Sequence, residues 1–229
     1  MHLDKDDNTR TIRDGVQAVC DKFGDDYWLE RDSDGVFPHD FHQAIAEGGW
    51  LGITMPEEYG GAGLGVSEAA VMMHTVASCG AMQAASSIHI SMFGPHPIIV
   101  FGTDDQKQKW IPRLVEGKDK VAFGVTEPNV GLDTTNITTF AKKVDGGYLV
   151  NGRKIWNSTA QVATRIMLLA RTQKREETER PSAGLSIFYT EFDRSKIEVK
   201  IIDKMGRKAV DSNMLFIDDL FIPDEDLLG

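Results

Sequence analysis

Phe123-Gly124-Val125-Thr126-Glu127-Pro128-Asn129-Val130-Gly131-Leu132-Asp133-Thr134 is the stretch on which the reading of this chain turns. It opens as a strand and breaks at Pro128, whose ring removes a backbone donor. It then passes through Gly131 among Thr and Asp side chains able to hydrogen-bond. A strand running into such a turn presents N–H groups and hydroxyls to one concave face, a surface suited to a polar ring edge or a phosphate. On spacing alone the plainer reading is preferred: an ordinary turn closing a strand.

The same stretch marks a change of character. Before it the punctuation is that of helices. Ile12, Val16, Val19 and Phe23 put one apolar stripe on a helix over residues 4–26. Pro38 opens a second run over 40–50, stopped by Gly48-Gly49. Residues 55–65 are too glycine-rich to be regular. Ser67 is the expected N-cap of a helix reaching Cys79, and residues 81–101 form an apolar helix buried on most sides. Thr103-Asp104-Asp105-Gln106 is a capping box that launches 107–111, with Pro112 at the expected end.

After it the pattern is that of strands. Asp145-Gly146-Gly147 and Asn151-Gly152 read as hairpin turns around 148–150. Strands follow at 166–170, 185–189, 197–201, 214–217 and 220–222, with a charged, exposed loop over 173–181. The expected fold class is α+β: an all-α N-terminal domain over 1–120, then a β-barrel or sandwich domain over 121–229.

Composition removes several functions. Lys plus Arg number 25 against 35 Asp plus Glu, a net charge of −10, so neither nucleic acid nor an anionic membrane surface is an expected partner. No run approaches the roughly 20 apolar residues of a membrane span. The polar start Met1-His2-Leu3-Asp4 is unlike a signal peptide, which places the protein in the cytoplasm, or in the mitochondrial matrix if a transit peptide has been removed. Cys20 and Cys79 are too few and too far apart for a disulfide framework or a CxxC site and read as buried free thiols. His89 and His96 read as packed or hydrogen-bonded histidines, and no metal site is expected. No GxSxG elbow is present, and residues 60–65 are not a phosphate loop because no GK[ST] follows.

A second candidate is Lys154-Ile155-Trp156-Asn157-Ser158-Thr159. In a regular strand Trp156 and Ser158 share a face, so one can lie against a flat ligand while the other offers a hydroxyl to its edge. In isolation a core tryptophan is the better reading.

Together the segments resemble the acyl-CoA dehydrogenases in order and spacing, from about Gly49 to Gly229. The resemblance is carried by Leu51-Gly52-Ile53-Thr54-Met55-Pro56-Glu57-Glu58-Tyr59-Gly60-Gly61, by Phe101-Gly102-Thr103 with Gln106-Lys107 and Trp110-Ile111-Pro112, and by Val125-Thr126-Glu127-Pro128 with Gly131 and Asp133. It continues through 147–152, Lys154 and Trp156, and closes on Phe216-Ile217-Asp218-Asp219-Leu220, Ile222-Pro223 and Leu227-Leu228-Gly229.

The resemblance implies an FAD enzyme that desaturates acyl-CoA thioesters between the α and β carbons. It implies flavin contacts at Phe123, Val125, Thr126, Gly131, Leu132, Trp156, Asn157 and Ser158. In it Trp156 stacks near the isoalloxazine and Ser158 reaches the N5 region. Leu132 departs from the family, standing where Ser often contacts the CoA moiety; Lys208 stands where Arg is frequent. The implied partners are an acyl-CoA substrate, an electron-transferring flavoprotein or other acceptor, and a second copy of the full-length chain. The family's glutamate base belongs to a further helical domain expected to lie beyond Gly229, so no catalytic residue is assigned here and the chain alone is expected to be inactive. The alternatives are an acyl-CoA oxidase or flavin monooxygenase on the same scaffold, and a non-catalytic half-scaffold that needs a partner.

Overall fold

The computed structural model describes residues 6–229. Helix α1 (Asp7–Cys20) starts behind Asp6, whose carboxylate accepts the Thr9 N–H at 2.8 Å; the residue-4 start expected for it lies outside the described residues. It stops at Cys20 and does not run on to residue 26. Gly24 begins a separate helix, α2 (Asp25–Asp34), with Asp25 and Asp26 in the first turn, where carboxylates suit the helix dipole. Phe23 belongs to the intervening turn, and its carbonyl accepts the Trp28 indole N–H at 3.1 Å. Helix α3 (His39–Glu47) ends at Gly48 as the Gly48-Gly49 stop implies, but Trp50 is not part of it and opens a separate 3-10 turn (Trp50–Gly52). In the glycine-rich stretch after it, a Cβ on Gly61 would lie 2.1 Å from the Met55 carbonyl oxygen, so only glycine fits.

Helix α4 (Val66–Phe93) departs most from expectation. It is capped by Gly65, not Ser67, and the Glu68 carboxylate accepts the Gly65 N–H at 3.0 Å. It also runs through Gly80 unbroken, joining two segments read as separate helices. Gly80 is a contact rather than a terminator: a Cβ there would sit 2.4 Å from the Trp28 ring. The apolar stretch ends at Phe93, and a short helix α5 (His96–Phe101) follows Gly94-Pro95. Helix α6 (Asp104–Val115) has the expected capping box, with Gln106 N–H on Thr103 Oγ1 at 3.2 Å and Thr103 N–H on Gln106 Oε1 at 2.9 Å. It continues past Pro112, which forfeits one backbone bond, because buried Trp110, Ile111 and Leu114 hold the last turn.

The strands are β1 (Val121–Gly124), β2 (Phe140–Val144), β3 (Gly147–Ser158), β4 (Arg165–Arg171), β5 (Leu185–Glu191), β6 (Ile197–Ile201), β7 (Ser212–Pro223) and β8 (Leu227–Leu228). They form one continuous sheet in the order β6-β7-β3-β2-β4-β5-β8, with β1 added parallel to β4. It encloses a core that includes Ala122, Val150, Leu168, Phe188, Leu215 and Ile222. Asn151-Gly152 is not a turn. Both residues lie inside β3, and the segments expected at 214–217 and 220–222 are one strand, β7. There Asp218 and Asp219 together face Asn151 in a bulge, Asp219 adopts φ +47°, and Asn151 and Asp219 exchange two hydrogen bonds of 2.9 Å.

Helical and sheet regions share a third core, in which Met55, Ile90, Trp110 and Leu114 pack with Val121, Met167 and Tyr189. The loop before β7 adds polar latches: Arg207 Nη1 donates to Ser86 Oγ at 2.9 Å and Lys208 N–H to Asp32 Oδ1 at 2.8 Å. No helix of the described residues is long and apolar enough to cross a membrane.

Candidate functional site

Strand β1 ends at Gly124 and the chain runs on beside β3, where the Thr126 carbonyl accepts the Ile155 N–H at 2.9 Å. That bond brings the two candidate segments together. The turn beyond it is closed by Glu127 and Val130, which exchange backbone bonds of 3.1 and 3.0 Å.

Beneath the segments lies a buried ion pair. Glu127 accepts the Thr138 N–H at 2.7 Å, the Thr138 hydroxyl at 2.8 Å and the Thr139 N–H at 2.8 Å. Lys154 Nζ stands 3.1 Å from the same carboxylate and donates to the Val125 carbonyl at 3.0 Å. Burial opposes the Glu127 charge, but the bonds from Thr139 and Thr138 and the Lys154 charge outweigh it and bring its pKa from 4.5 down to about 2. Burial draws Lys154 down to about 8 against the pull of Glu127, so it remains an ammonium at neutral pH. The pair clamps the end of β1 to β3 and leaves Glu127 no capacity to take a proton from a substrate.

Trp156 is the extra residue of a bulge in β3. Ile155 pairs with Met214 and Asn157 with Asn213, which leaves Trp156 unpaired at φ +62° and 61% exposed. The reading of a core tryptophan is overturned, and so is the strand alternation assumed for Trp156 and Ser158. The bulge turns a large flat ring to the surface beside the Val125–Thr126 backbone. Asn157 is buried, and neither polar atom of its amide has a partner. Ser158 is half-buried opposite Ser212.

Phe123 is half-buried and meets Phe93 of α4 edge-on at 5.4 Å between centroids. Phe123, Val125 and Thr126 are thus gathered with Trp156, Asn157 and Ser158. Gly131 and Leu132 lie beyond the turn on exposed chain, with the Leu132 side chain wholly in solvent. Asp133 is bonded within its own loop, to the Thr135 N–H and hydroxyl and to the Asn136 amide. Sequence reasoning missed the pairing of Glu127 with Lys154 and the approach of Phe93; neither leaves a local signal, since each joins separate elements. Among the described residues no three His, Cys, Asp or Glu side chains stand together as metal ligands. Cys20 is buried, Cys79 is only half-buried, and Cys79 Sγ lies 3.4 Å from Gln17 Oε1.

An exposed indole one residue along from the Ile155–Thr126 backbone bond fits a planar heteroaromatic ligand with polar edges. Family models for the acyl-CoA dehydrogenase N-terminal domain and middle domain match residues 6–118 and 122–220. The chain belongs to the acyl-CoA dehydrogenase family. Its relatives include a mitochondrial isovaleryl-CoA dehydrogenase of Solanum tuberosum, 30% identical over 98% of this chain and 54% of that protein. A benzylmalonyl-CoA dehydrogenase of Aromatoleum aromaticum is 32% identical over 100% of this chain and 59% of its own length. A solved acyl-CoA dehydrogenase of Geobacillus kaustophilus superposes with a TM-score of 0.89 at 27% identity, over 98% of this chain and 58% of that one. The chain therefore spans a little over half the length of these acyl-CoA dehydrogenases. The family's enzymes are FAD-dependent.

Proposed function

We propose that this chain forms the helical and middle portions of an FAD-dependent enzyme that desaturates an acyl-CoA thioester between its α and β carbons. The observation that carries the reading is the exposed Trp156 on its left-handed bulge, held beside the Thr126 backbone by the buried Glu127–Lys154 pair. Phe123, Val125, Thr126, Trp156 and Ser158 would hold the isoalloxazine: the indole as a flat wall, the backbone and hydroxyls at the ring's polar edge. Asn157 serves from beneath, fixing the bulge through its main-chain bond to the Asn213 amide at 2.8 Å. Gly131 and Leu132 belong to the exposed loop that borders the cofactor. The bound flavin supplies the acceptor for the hydride that leaves the β-carbon.

The α-proton needs a base. Glu127 is locked as an ion-paired carboxylate and Asp133 is spent on its own loop, so no residue of this chain is assigned that role. The electron acceptor in this reading is an electron-transferring flavoprotein, and the full-length protein works as a homo-oligomer. The test is flavin retention by the full-length protein after incubation with FAD and desalting, followed by bleaching of the visible band on adding an acyl-CoA. Retention with bleaching supports the reading; a full-length protein that never holds flavin sinks it.

A further inference from the structure

Arg207 is a half-buried cation with no ion-pair partner among the described residues. It lies in the loop before β7 at φ +57°, a conformation unusual outside glycine and costly unless something holds it. Its Nη1 donates to Ser86 Oγ at 2.9 Å, and the rest of the guanidinium has no hydrogen-bond or ion-pair partner among the described residues. Asp32 reaches the same loop but accepts the Lys208 N–H at 2.8 Å, and Lys204 is bonded to the Arg207 and Val210 carbonyls. A second basic group stands close by. His89 Nδ1 donates to the Ser86 carbonyl at 2.7 Å, and burial, aided by the Arg207 charge, holds its pKa below the usual value.

These groups end a continuous strip. Ser86, His89 and Phe93 are spaced i, i+3, i+7 along α4 and share one face. The His89 ring lies 5.5 Å from Phe93, and Phe93 lies 5.4 Å from Phe123, which opens the flavin segment. Seven residues of helix place the Arg207 end about 10 Å from the Phe93 end. An acyl chain with its reacting carbons at the flavin segment runs along the aromatic pair and meets a guanidinium with unused donors.

We propose that Arg207, oriented by Ser86 and flanked by His89, recognises an anionic group on the acyl chain, so that the substrate class is a CoA thioester whose acyl group carries a second carboxylate. This rests on the flavin-dependent desaturation proposed above. A bidentate carboxylate would use the donors that Ser86 leaves open and supply the missing counter-charge. Arg207 is then a specificity residue as well as a latch between the two halves of the fold.

The experiment compares suberyl-CoA with octanoyl-CoA, which differ in a terminal carboxylate against a methyl group and are long enough to reach from the flavin segment to Arg207, in the full-length protein loaded with FAD. The expected result is a higher kcat/KM for suberyl-CoA. In Arg207→Met the ratio of the two values should fall by about a hundredfold, with part of it recovered in Arg207→Lys. Suberyl-CoA should also raise the imidazolium fraction of His89, read by NMR of nitrogen-labelled histidine, whereas octanoyl-CoA should not. A preference for octanoyl-CoA, turnover of neither thioester by flavin-loaded protein, or a ratio unchanged within about threefold in Arg207→Met overturns this inference and leaves the desaturase reading standing. A full-length protein that holds no flavin overturns both.

Discussion

Lys154 Nζ and Glu127 Oε1 stand 3.1 Å apart, with side chains 0% and 4% exposed, and so join β3 to the turn after β1 by an ion pair out of reach of water. Taking two charges out of water is costly, and the arrangement is stable because three further donors satisfy the carboxylate. Removing one partner is therefore worse than removing both. Lys154→Met is expected to cost about 3–5 kcal/mol by leaving an unpaired buried carboxylate, and adding Glu127→Gln should recover part of that loss. Urea unfolding of the single and double variants checks it; additive losses would mean that the two charges do not interact.

Acid should weaken the fold chiefly through Glu127 and His42, both in the same direction. Glu127 has a folded pKa of about 2 against 4.5, so its contribution is complete above pH 4.5 and is lost as the pH falls toward 2. His42 is held neutral chiefly by burial, then by the Lys120 and His39 charges, with a pKa of about 3 against 6.5. The unfolded chain then binds its proton first, and stability falls from pH 6.5 downward. His39 and His89 are lowered too, again mainly by burial, and add to the slope. Neither ring nitrogen of His42 has a partner, so His42→Leu should flatten the dependence between pH 6.5 and 4.5 by up to about 1.4 kcal/mol per pH unit. Denaturant melts across that range read the slope directly.

Much of this architecture was legible in the sequence because it is written locally. The Thr103–Gln106 box, the Asp145-Gly146 turn and the alternating runs each act within a few residues of themselves. The errors fall where a residue with a strong local meaning answers to a distant neighbour. Gly80 reads as a helix stop, but its position is decided by the Trp28 ring. Asn151-Gly152 reads as a hairpin, but Asn151 is committed to Asp219, 68 residues away. The candidate site divides the same way. Its segments were visible as motifs, while the exposure of Trp156 and the pairings of Glu127 with Lys154 and Ser86 with Arg207 exist only once the chain is folded.

Gly80 separates local propensity from packing. By helix propensity alone, Gly80→Ala in the middle of α4 should stabilise by about 1 kcal/mol. The new methyl would lie 2.4 Å from Trp28 Cε2 and 2.6 Å from the Ala84 Cβ, so α2 must move away from α4. The expected outcome is a net loss of about 1–3 kcal/mol, with a red-shifted Trp28 emission as the ring meets water. A raised melting temperature would show that the two helices have room to give.

Trp156 tests whether the bulge serves the fold or a ligand. Its ring is largely in solvent, so removing it forfeits little packing, and at φ +62° a side chain is a liability that glycine removes. Trp156→Gly should therefore keep or raise the unfolding midpoint, by up to about 1 kcal/mol, and Trp156→Ala should fall slightly below it. Flavin retention should move the opposite way, dropping in both variants as the flat wall is lost. A glycine variant that loses more than about 2 kcal/mol would mark the indole as a packing element. Undiminished flavin binding in both variants would remove Trp156 from the proposed cofactor surface.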